Sequence, residues 1–276
     1  MSQQQKAEVF QRLHDGPGAF VVANTWDAGS ARLLESLGFK ALATTSAGLA
    51  FMLAKPDGAN SVTRQEALDN ATAIAGATSL PVSADLEGGY GAKPEDCAAT
   101  ISGAIATGLA GASIEDSTGD ASNPIHDIGL AIERVRAAAE AAHATAIPFM
   151  LTARSENFLH GLADLKDTIR RLQAFQEAGA DVLFAPGLRS AEDIKAVTSS
   201  VDRPVNVIMG LKGVLFSVDE LASLGVRRIS VGGSLARAAY GAMLRGAFEI
   251  IEKGTFSYSD EAIPHGDLNT IFSRPR

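Results

Sequence analysis

The sequence predicts a (β/α)₈ barrel with a helical C-terminal extension. Short apolar segments alternate with segments of helical spacing along the 276 residues, in about eight units of roughly 30 residues each. The apolar segments are nearly continuous, which is typical of parallel strands covered by helices. At this length a closed barrel accommodates all the units. A doubly wound open sheet is the alternative, but Asn24, Thr25 and Trp26 follow the first strand where a glycine-rich dinucleotide loop is expected.

The first half of the chain supplies four of the strands. They are predicted at 20–24, 40–44, 81–85 and 111–115. Helices are predicted at 26–37, from about residue 63, at 94–107 and at 127–143, and a long loop is predicted between Thr45 and Asn60. Thr63 and Glu66 have the spacing of a capping box, in which each side chain satisfies a backbone N–H of the other residue.

The second half repeats the pattern. Strands are predicted at 148–152, 181–184, 204–207 and 228–231, and helices at 163–178, 190–198, 217–224 and 234–253. Glycines such as Gly38, Gly179 and Gly225 precede several strands and are expected to end the preceding helix in a left-handed turn. We therefore predict a barrel domain over 1–254. Residues 255–276 contain Pro264 and Pro275 and are expected to pack on the barrel or on a neighbouring subunit.

Composition narrows the range of partners. The net charge of −8 argues against nucleic acid, which needs a clustered basic face. The single cysteine, Cys97, fits the reducing cytoplasm, and the N-terminus lacks the pattern of a signal peptide. Residues 97–114 carry no charge, but their serine, threonine and glycine content indicates a buried helix running into a buried strand. We expect a small-molecule ligand and neither a nucleic acid nor a membrane.

Acidic residues lie at the ends of two consecutive predicted strands. Asp85 and Glu87 follow the third strand, and Glu115 and Asp116 follow the fourth. In a (β/α)₈ barrel the C-terminal strand ends form the active site. Carboxylates are the usual ligands of Mg²⁺ or Mn²⁺, and Mg²⁺ often keeps several waters. Asp85 is therefore a candidate direct ligand, with Glu87 and Glu115 holding metal-bound water. Alternatively, these acids cap loops or pair with basic residues such as Arg154.

Two further features suit an anionic substrate. Arg154 follows the fifth strand, and its planar guanidinium matches the two oxygens of a carboxylate, although an ion pair with Glu156 or Glu115 would serve structure alone. The loop 44–49 is built from small residues, so its backbone N–H groups and the Ser46 hydroxyl could approach an anion. Asp57 alone has the appearance of a turn residue.

Together these segments resemble the isocitrate lyase/phosphoenolpyruvate mutase superfamily, in its phosphonomutase-like branch. The matching pieces are Thr45-Ser46-Ala47-Gly48, Pro56-Asp57-Gly58, 83–91 (SADLEGGYG), Ile114-Glu115-Asp116 and Thr152-Ala153-Arg154. The resemblance implies a (β/α)₈ barrel, a homotetramer built as a dimer of dimers with the eighth helix exchanged, and Mg²⁺ with an α-oxo or α-hydroxy carboxylate. It also implies bond cleavage through a stabilised enolate.

Carried over residue by residue, the resemblance assigns roles to the matching positions. Asp85 would bind Mg²⁺ directly and Asp57, Glu87 and Glu115 would lie in its water shell. The substrate carboxylate would contact Ser46, Ala47, Gly48 and Arg154. The loop after the fourth strand would act as a lid, with Ser117, Thr118 and Asn123 as selectivity contacts.

Two departures from the family bear on the reaction. Glu87 stands where family members usually have aspartate, and the loop 116–124 lacks both the cysteine of the isocitrate lyases and the lysine of the phosphonomutases. The sequence therefore favours a Mg²⁺-dependent lyase that cleaves a C–C bond of a small 2-oxo or 2-hydroxy di- or tricarboxylate. The alternative reactions are hydrolysis of phosphonopyruvate or its rearrangement by a mutase, and hydrolysis or decarboxylation of oxaloacetate. The alternative from another class is a non-catalytic barrel that binds an organic acid.

Overall fold

The computed structural model describes residues 1–58 and 60–274 and contains a closed barrel of eight parallel strands in sequence order. The strands are β1 (Phe20–Asn24), β2 (Ala41–Ala43), β3 (Val82–Asp85), β4 (Gly111–Glu115), β5 (Met150–Arg154), β6 (Val182–Phe184), β7 (Val205–Ile208) and β8 (Arg228–Ser230). The barrel closes where β1 pairs with β8 in the register Phe20 opposite Arg228. The predicted (β/α)₈ class is confirmed, and the open-sheet alternative is wrong.

Helices alternate with the strands around the barrel. They are α1 (Gln3–Asp15), α2 (Ala28–Ser36), α3 (Ser46–Met52), α4 (Arg64–Ala77), α5 (Pro94–Ala106), α6 (Ile128–His143), α7 (Leu165–Glu177), α8 (Ala191–Ser199), α9 (Val218–Ser223), α10 (Ser234–Lys253) and α11 (His265–Ser273). The Thr63–Glu66 capping box at the start of α4 is present. Buried Leu42, Ile74, Ile101, Leu151 and Phe175 belong to the main hydrophobic core.

Helix α1 was not predicted, and two local predictions also differ from the structure. Helix α3 occupies much of the predicted 45–60 loop, because the Thr45 side chain caps it by accepting a hydrogen bond from the Gly48 N–H. Strand β5 begins at Met150 rather than at residue 148, in register with Gly111 of β4. Side chains alternate between the two faces of a strand with a period of two. A shift of two residues therefore does not change which side chains of β5 face the interior of the barrel.

The C-terminal extension is helical, as predicted. Helix α10 ends at Gly254, which has a left-handed φ of 65°. A 3₁₀ turn (Ser257–Glu261) places Tyr258 against Gly246 of α10. Helix α11 then returns to α2, where Arg32 donates to the carbonyl oxygens of Ile271 and Arg274 at 3.1 and 2.7 Å. The extension thus packs on elements of its own chain.

No helix in residues 1–58 and 60–274 has both the length and the apolarity to cross a membrane. The uncharged 97–114 segment forms most of α5 and the start of β4. Cys97 is fully buried in α5 and is not bonded to another cysteine. The expected buried helix and strand are therefore both present.

Candidate active site

Arg154 is at the centre of an acidic cluster at the C-terminal ends of β3, β4 and β5. Its Nη1 lies 2.8 Å from Asp85 Oδ1, its Nη2 3.1 Å from Glu115 Oε2 and its Nε 2.9 Å from Glu156 Oε1. The Arg154 side chain is only 12% exposed. Although burial opposes its charge, Glu115, Glu156 and Asp85 raise the pKa of Arg154 well above its usual value. Arg154 is therefore permanently charged and held rigidly.

Hydrogen bonds orient the Asp85 carboxylate. The Ser46 N–H donates to Asp85 Oδ2 at 3.1 Å, and the Glu87 N–H approaches Oδ1 at 3.4 Å. The Asp85 N–H in turn donates to the Thr44 hydroxyl at 2.9 Å. The end of β2 and the start of α3 thus fix the end of β3. Their convergence follows from parallel strands ending at one rim of the barrel.

The cluster carries more negative than positive charge. Burial, followed by repulsion from Asp85 and Asp57, raises the pKa of Glu87 to about 7. Burial is also the main cause of the raised pKa of Glu115, which Arg154 only partly offsets. Partial desolvation and the Asp85 charge raise the pKa of Asp57. These shifts mean that an additional cation would be stabilised beside the carboxylates.

The donor set fits a divalent metal held mainly through water. Among the described residues, no three Asp, Glu, His or Cys side chains are arranged to enclose a metal ion. The oxygen donors present are of the hard type that Mg²⁺ prefers, and Mg²⁺ commonly uses one or two direct carboxylates with several waters. The roles of Asp85 as the single direct ligand and of Asp57, Glu87 and Glu115 in its water shell stay predictions.

The turn after β3 has an unusual backbone. Glu87 and Tyr90 have φ angles of 47° and 58°, in the left-handed region that non-glycine residues seldom adopt. Arg134 of α6 holds this turn by donating to the carbonyl oxygens of Gly88 and Gly91. The Glu115 N–H also donates to the Glu87 carbonyl oxygen at 3.0 Å. The strained conformation is therefore maintained from both sides.

A cavity of about 350 Å³ opens beside the cluster and extends into the barrel. Of the predicted substrate residues, Ser46, Ala47 and Arg154 line it, as do the predicted metal residues Asp57 and Asp85. Gly48 does not line it. A Cβ there would lie 2.5 Å from Thr45 Cγ2 and 2.8 Å from Trp26 Cβ, so Gly48 is needed for close packing.

Sequence analysis missed polar residues on β7, β8 and α10 that line this cavity. They are Asn206, Arg228, Ser230, Ser234 and Arg237. A detectable signal existed, because Asn206 and Arg228 interrupt otherwise apolar predicted strands. Glu156 was considered only as a structural partner of Arg154, and that contact is present.

The predicted lid residues lie at a second cavity. Ser117 and Thr118 line a space of about 440 Å³ together with Arg64, Tyr90 and His126. Asn123 is exposed and accepts a hydrogen bond from the Thr118 hydroxyl at 2.6 Å through its carbonyl oxygen. Their roles as selectivity contacts stay predictions.

The Asp116 side chain makes structural contacts with neighbouring elements. Its Oδ2 lies 3.0 Å from Arg171 Nη1, and its Oδ1 accepts the Glu156 N–H at 2.8 Å. It is only 2% exposed. Asp116 thus joins the loop after β4 to β5 and α7 and does not face the cavity.

Active sites of (β/α)₈-barrel enzymes lie at the C-terminal ends of the strands. The carboxylates and the buried arginine at this rim therefore indicate that the protein is a (β/α)₈-barrel enzyme. The chain matches the phosphoenolpyruvate phosphomutase family over residues 10–251 and belongs to that family. It is thus a member of the phosphoenolpyruvate mutase/isocitrate lyase superfamily, as the resemblance implied.

Relatives with solved structures or assigned activities include lyases and hydrolases. A protein from Burkholderia cenocepacia J2315, described provisionally as a lyase/mutase, is 53% identical with a TM-score of 0.96, over 99% of this chain and 97% of its own. Oxaloacetate acetylhydrolase in complex with oxalate is 27% identical with a TM-score of 0.87, over 99% and 95%. Oxaloacetate decarboxylase of Pseudomonas paraeruginosa is 30% identical, over 89% and 84%.

Proposed function

We propose that this protein is a Mg²⁺-dependent lyase that cleaves a C–C bond of a small 2-oxo dicarboxylate of the oxaloacetate type. The observation that carries the proposal is the acidic cluster around Arg154, which has excess negative charge and adjoins a cavity of about 350 Å³. The similarity to an oxaloacetate decarboxylase and an oxaloacetate acetylhydrolase supports this substrate class. A 2-hydroxy acid or a tricarboxylate is the broader possibility that the sequence left open.

Asp85 would hold the metal directly, and Asp57, Glu87 and Glu115 would hold its waters. Mn²⁺ would suit the same oxygen donors. When bound, the metal would act as a Lewis acid that draws electrons from the 2-oxo group. Burial is the main cause of the raised pKa of Glu87, and Mg²⁺ binding should relieve the further contribution from repulsion by Asp85 and Asp57.

The chain's own groups would position the substrate. The N-terminal end of α3, with Ser46 and Ala47, would receive the carboxylate next to the 2-oxo group. Arg154 would contact the same moiety and offset negative charge as the bond opens, because its guanidinium is fixed by three carboxylates. The loop 117–124 would exclude water from the cavity when closed.

The decisive experiment is a turnover assay with purified protein, Mg²⁺ and oxaloacetate that detects pyruvate, oxalate and acetate separately. Pyruvate with CO₂ identifies decarboxylation, whereas oxalate with acetate identifies hydrolysis. Phosphonopyruvate with phosphate detection tests P–C bond chemistry in parallel. Phosphate release without C–C cleavage would refute the proposed reaction, and so would the absence of turnover on a panel of 2-oxo and 2-hydroxy di- and tricarboxylates.

We further propose a homo-oligomer, a dimer or tetramer, in which α10 packs against another subunit. Helix α10 has only Ala236 and Gly246 buried, while Met243, Phe248 and Ile251 are 60%, 56% and 80% exposed. An apolar helix face of this kind is typical of an interface. Light scattering coupled to size-exclusion chromatography tests the proposal, and a monomer at micromolar concentration contradicts it.

A cytoplasmic location completes the proposal. The single, fully buried Cys97 thiol is compatible with a reducing compartment and supplies no disulfide.

A further inference from the structure

Arg228 is a buried cation with no acidic partner among the described residues. It lies at the start of β8, is 4% exposed and faces the interior of the barrel. Its Nε donates to Asn206 Oδ1 and its Nη2 to Thr152 Oγ1, both at 2.9 Å. Its Nη1 lies 3.5 Å from His14 Nε2. None of the ion pairs in residues 1–58 and 60–274 includes Arg228.

The His14 contact does not neutralise this charge. Burial and the nearby Arg228 lower the pKa of His14 to about 3, so the imidazole is neutral at pH 7. His14 Nδ1 lies 2.8 Å from the Phe10 carbonyl oxygen and therefore carries the proton, which leaves Nε2 as an acceptor toward Arg228. All three contacts of the guanidinium are with neutral groups. Since a guanidinium has five N–H donors, it retains capacity for an anion.

Arg228 lines the same cavity as Asp85 and Arg154. Other buried polar side chains line the same cavity: Asn24, Ser83, Ser113, Asn206 and Ser230. The interior of a (β/α)₈ barrel is ordinarily filled with bulky branched side chains. Here small polar side chains and a buried positive charge line one cavity.

The depth of this site follows from the strand register. Arg228 bonds to Thr152, which precedes Arg154 by two residues on β5. Two strand residues span about 6.6 Å, so Arg228 lies roughly that far below the acidic cluster. Four carbons joined by three bonds of about 1.5 Å extend about 4 Å, and the terminal carboxylate oxygens with hydrogen bonds of about 2.8 Å bridge the rest.

We propose that Arg228 and Asn206 form an anion subsite at the floor of the cavity that binds the distal carboxylate of a dicarboxylate substrate. This inference rests on the proposed function and specifies its substrate class. The acidic cluster at the mouth holds the metal and the 2-oxo acid end, while the floor selects ligands with a second negative charge. Arg228 thus determines specificity and takes no part in the bond cleavage.

A matched pair of ligands tests the subsite without turnover. The oxaloacetate analogue 3,3-difluorooxaloacetate has a distal carboxylate, whereas 2-oxobutyrate has the same number of carbons and a methyl group in that place. Oxalate has only two carbons, so its affinity measures binding at the acidic cluster alone. Calorimetry with Mg²⁺ should show that Arg228→Met weakens difluorooxaloacetate binding by about tenfold to a hundredfold, the effect of losing a charged hydrogen bond. Affinities for 2-oxobutyrate and oxalate should change less than about twofold.

Arg227→Gln is the control variant. Arg227 is the neighbouring arginine, but it donates to the carbonyl oxygens of Gly16 and Gly18 and does not line the cavity. Its loss should leave all three affinities unchanged. Equal weakening of all three ligands by Arg228→Met would show a purely structural role and overturn the proposal, as would unchanged binding of difluorooxaloacetate.

If Arg228→Met does not fold, a crystal structure of the wild-type protein with bound difluorooxaloacetate tests the anion subsite. The distal carboxylate of bound difluorooxaloacetate should lie within hydrogen-bonding distance of Arg228. Placement at the exposed Arg237 on the cavity rim would overturn the proposal. If oxalate fails to bind with Mg²⁺, the proposed function fails separately, and a bromide soak then tests the floor. An anomalous peak beside Arg228 would support the anion subsite, and its absence would overturn it.

Discussion

Arg154 Nη1 and Asp85 Oδ1 are 2.8 Å apart, so the cation of β5 directly contacts the carboxylate at the end of β3. The other oxygen of Asp85 accepts the Ser46 N–H. One carboxylate therefore connects the N-terminal end of α3 with the buried guanidinium. Any change at Asp85 should affect both metal binding and the orientation of Arg154.

Asp85→Asn should abolish most Mg²⁺-dependent turnover. The amide keeps the shape but loses the negative charge, and loss of several kcal/mol of transition-state stabilisation corresponds to about a thousandfold or more in kcat/KM. Steady-state kinetics and Mg²⁺ titration calorimetry measure the two effects. Asp69→Asn, at an exposed position on α4, should leave both unchanged. Turnover of Asp85→Asn within threefold of wild type would refute the metal assignment.

Glu87→Gln should stabilise the protein at alkaline pH. The folded-state pKa is raised to about 7 by burial and then by Asp85 and Asp57, whereas an unfolded glutamate titrates near 4.3. Stability contributed by protonated Glu87 is fully present below the unfolded pKa and is lost as pH rises through 7. At pH 8.5 the variant should exceed wild type by on the order of 1 kcal/mol, allowing for solvent screening of the half-buried carboxylate.

Urea unfolding of both proteins without Mg²⁺, at pH 4.5 and 8.5, measures this difference. Because all other groups are shared, their titration cancels between the two proteins. A difference that is the same at both pH values would contradict the assignment of the raised pKa to Glu87.

Gly48→Ala should destabilise the fold by roughly 1–3 kcal/mol, because its Cβ would overlap Thr45 Cγ2 and Trp26 Cβ. Gly76→Ala provides the matched comparison. Apart from the backbone of α4 and the two chain neighbours, no atom of the described residues lies within 4 Å of a Cβ at this exposed position, so alanine should stabilise the helix by up to about 1 kcal/mol. Thermal unfolding should therefore shift in opposite directions for the two variants. A common direction would mean that Thr45 and Trp26 accommodate the added methyl group.

Shortening the loop after β4 tests its role as a lid. Replacing 119–123 with two glycines removes the segment that Thr118 holds through the Asn123 carbonyl oxygen. We expect a lower kcat and an unchanged Mg²⁺–oxalate affinity, because closure affects the reaction rather than the metal and carboxylate contacts. Rate and substrate preference equal to wild type would eliminate the lid role of Ser117, Thr118 and Asn123.

The rim of the site was predictable because consecutive parallel strands end on the same side. Asp85, Glu115 and Arg154 were located from apolar runs alone, and the structure brings them into contact. The floor was not predictable in the same way. Arg228 and Asn206 are polar residues in largely apolar strands, but strands of three and four residues are too short for an alternating pattern to show that these side chains face inward. Helix α3 was missed because Gly48 within it reads as a loop residue.

Barrel closure joins residues that are far apart in the chain. Phe20 pairs with Arg228, whereas the strands that carry Asp85, Glu115 and Arg154 lie within 82–154. During synthesis the strands of the acidic cluster therefore leave the ribosome well before β8. Until β8 arrives, β1 and β7 each have an unpaired edge, which is a template for association with other chains. The last third of the chain thus controls when the nascent protein becomes protected from aggregation, although it contributes no residue to the acidic cluster around Arg154.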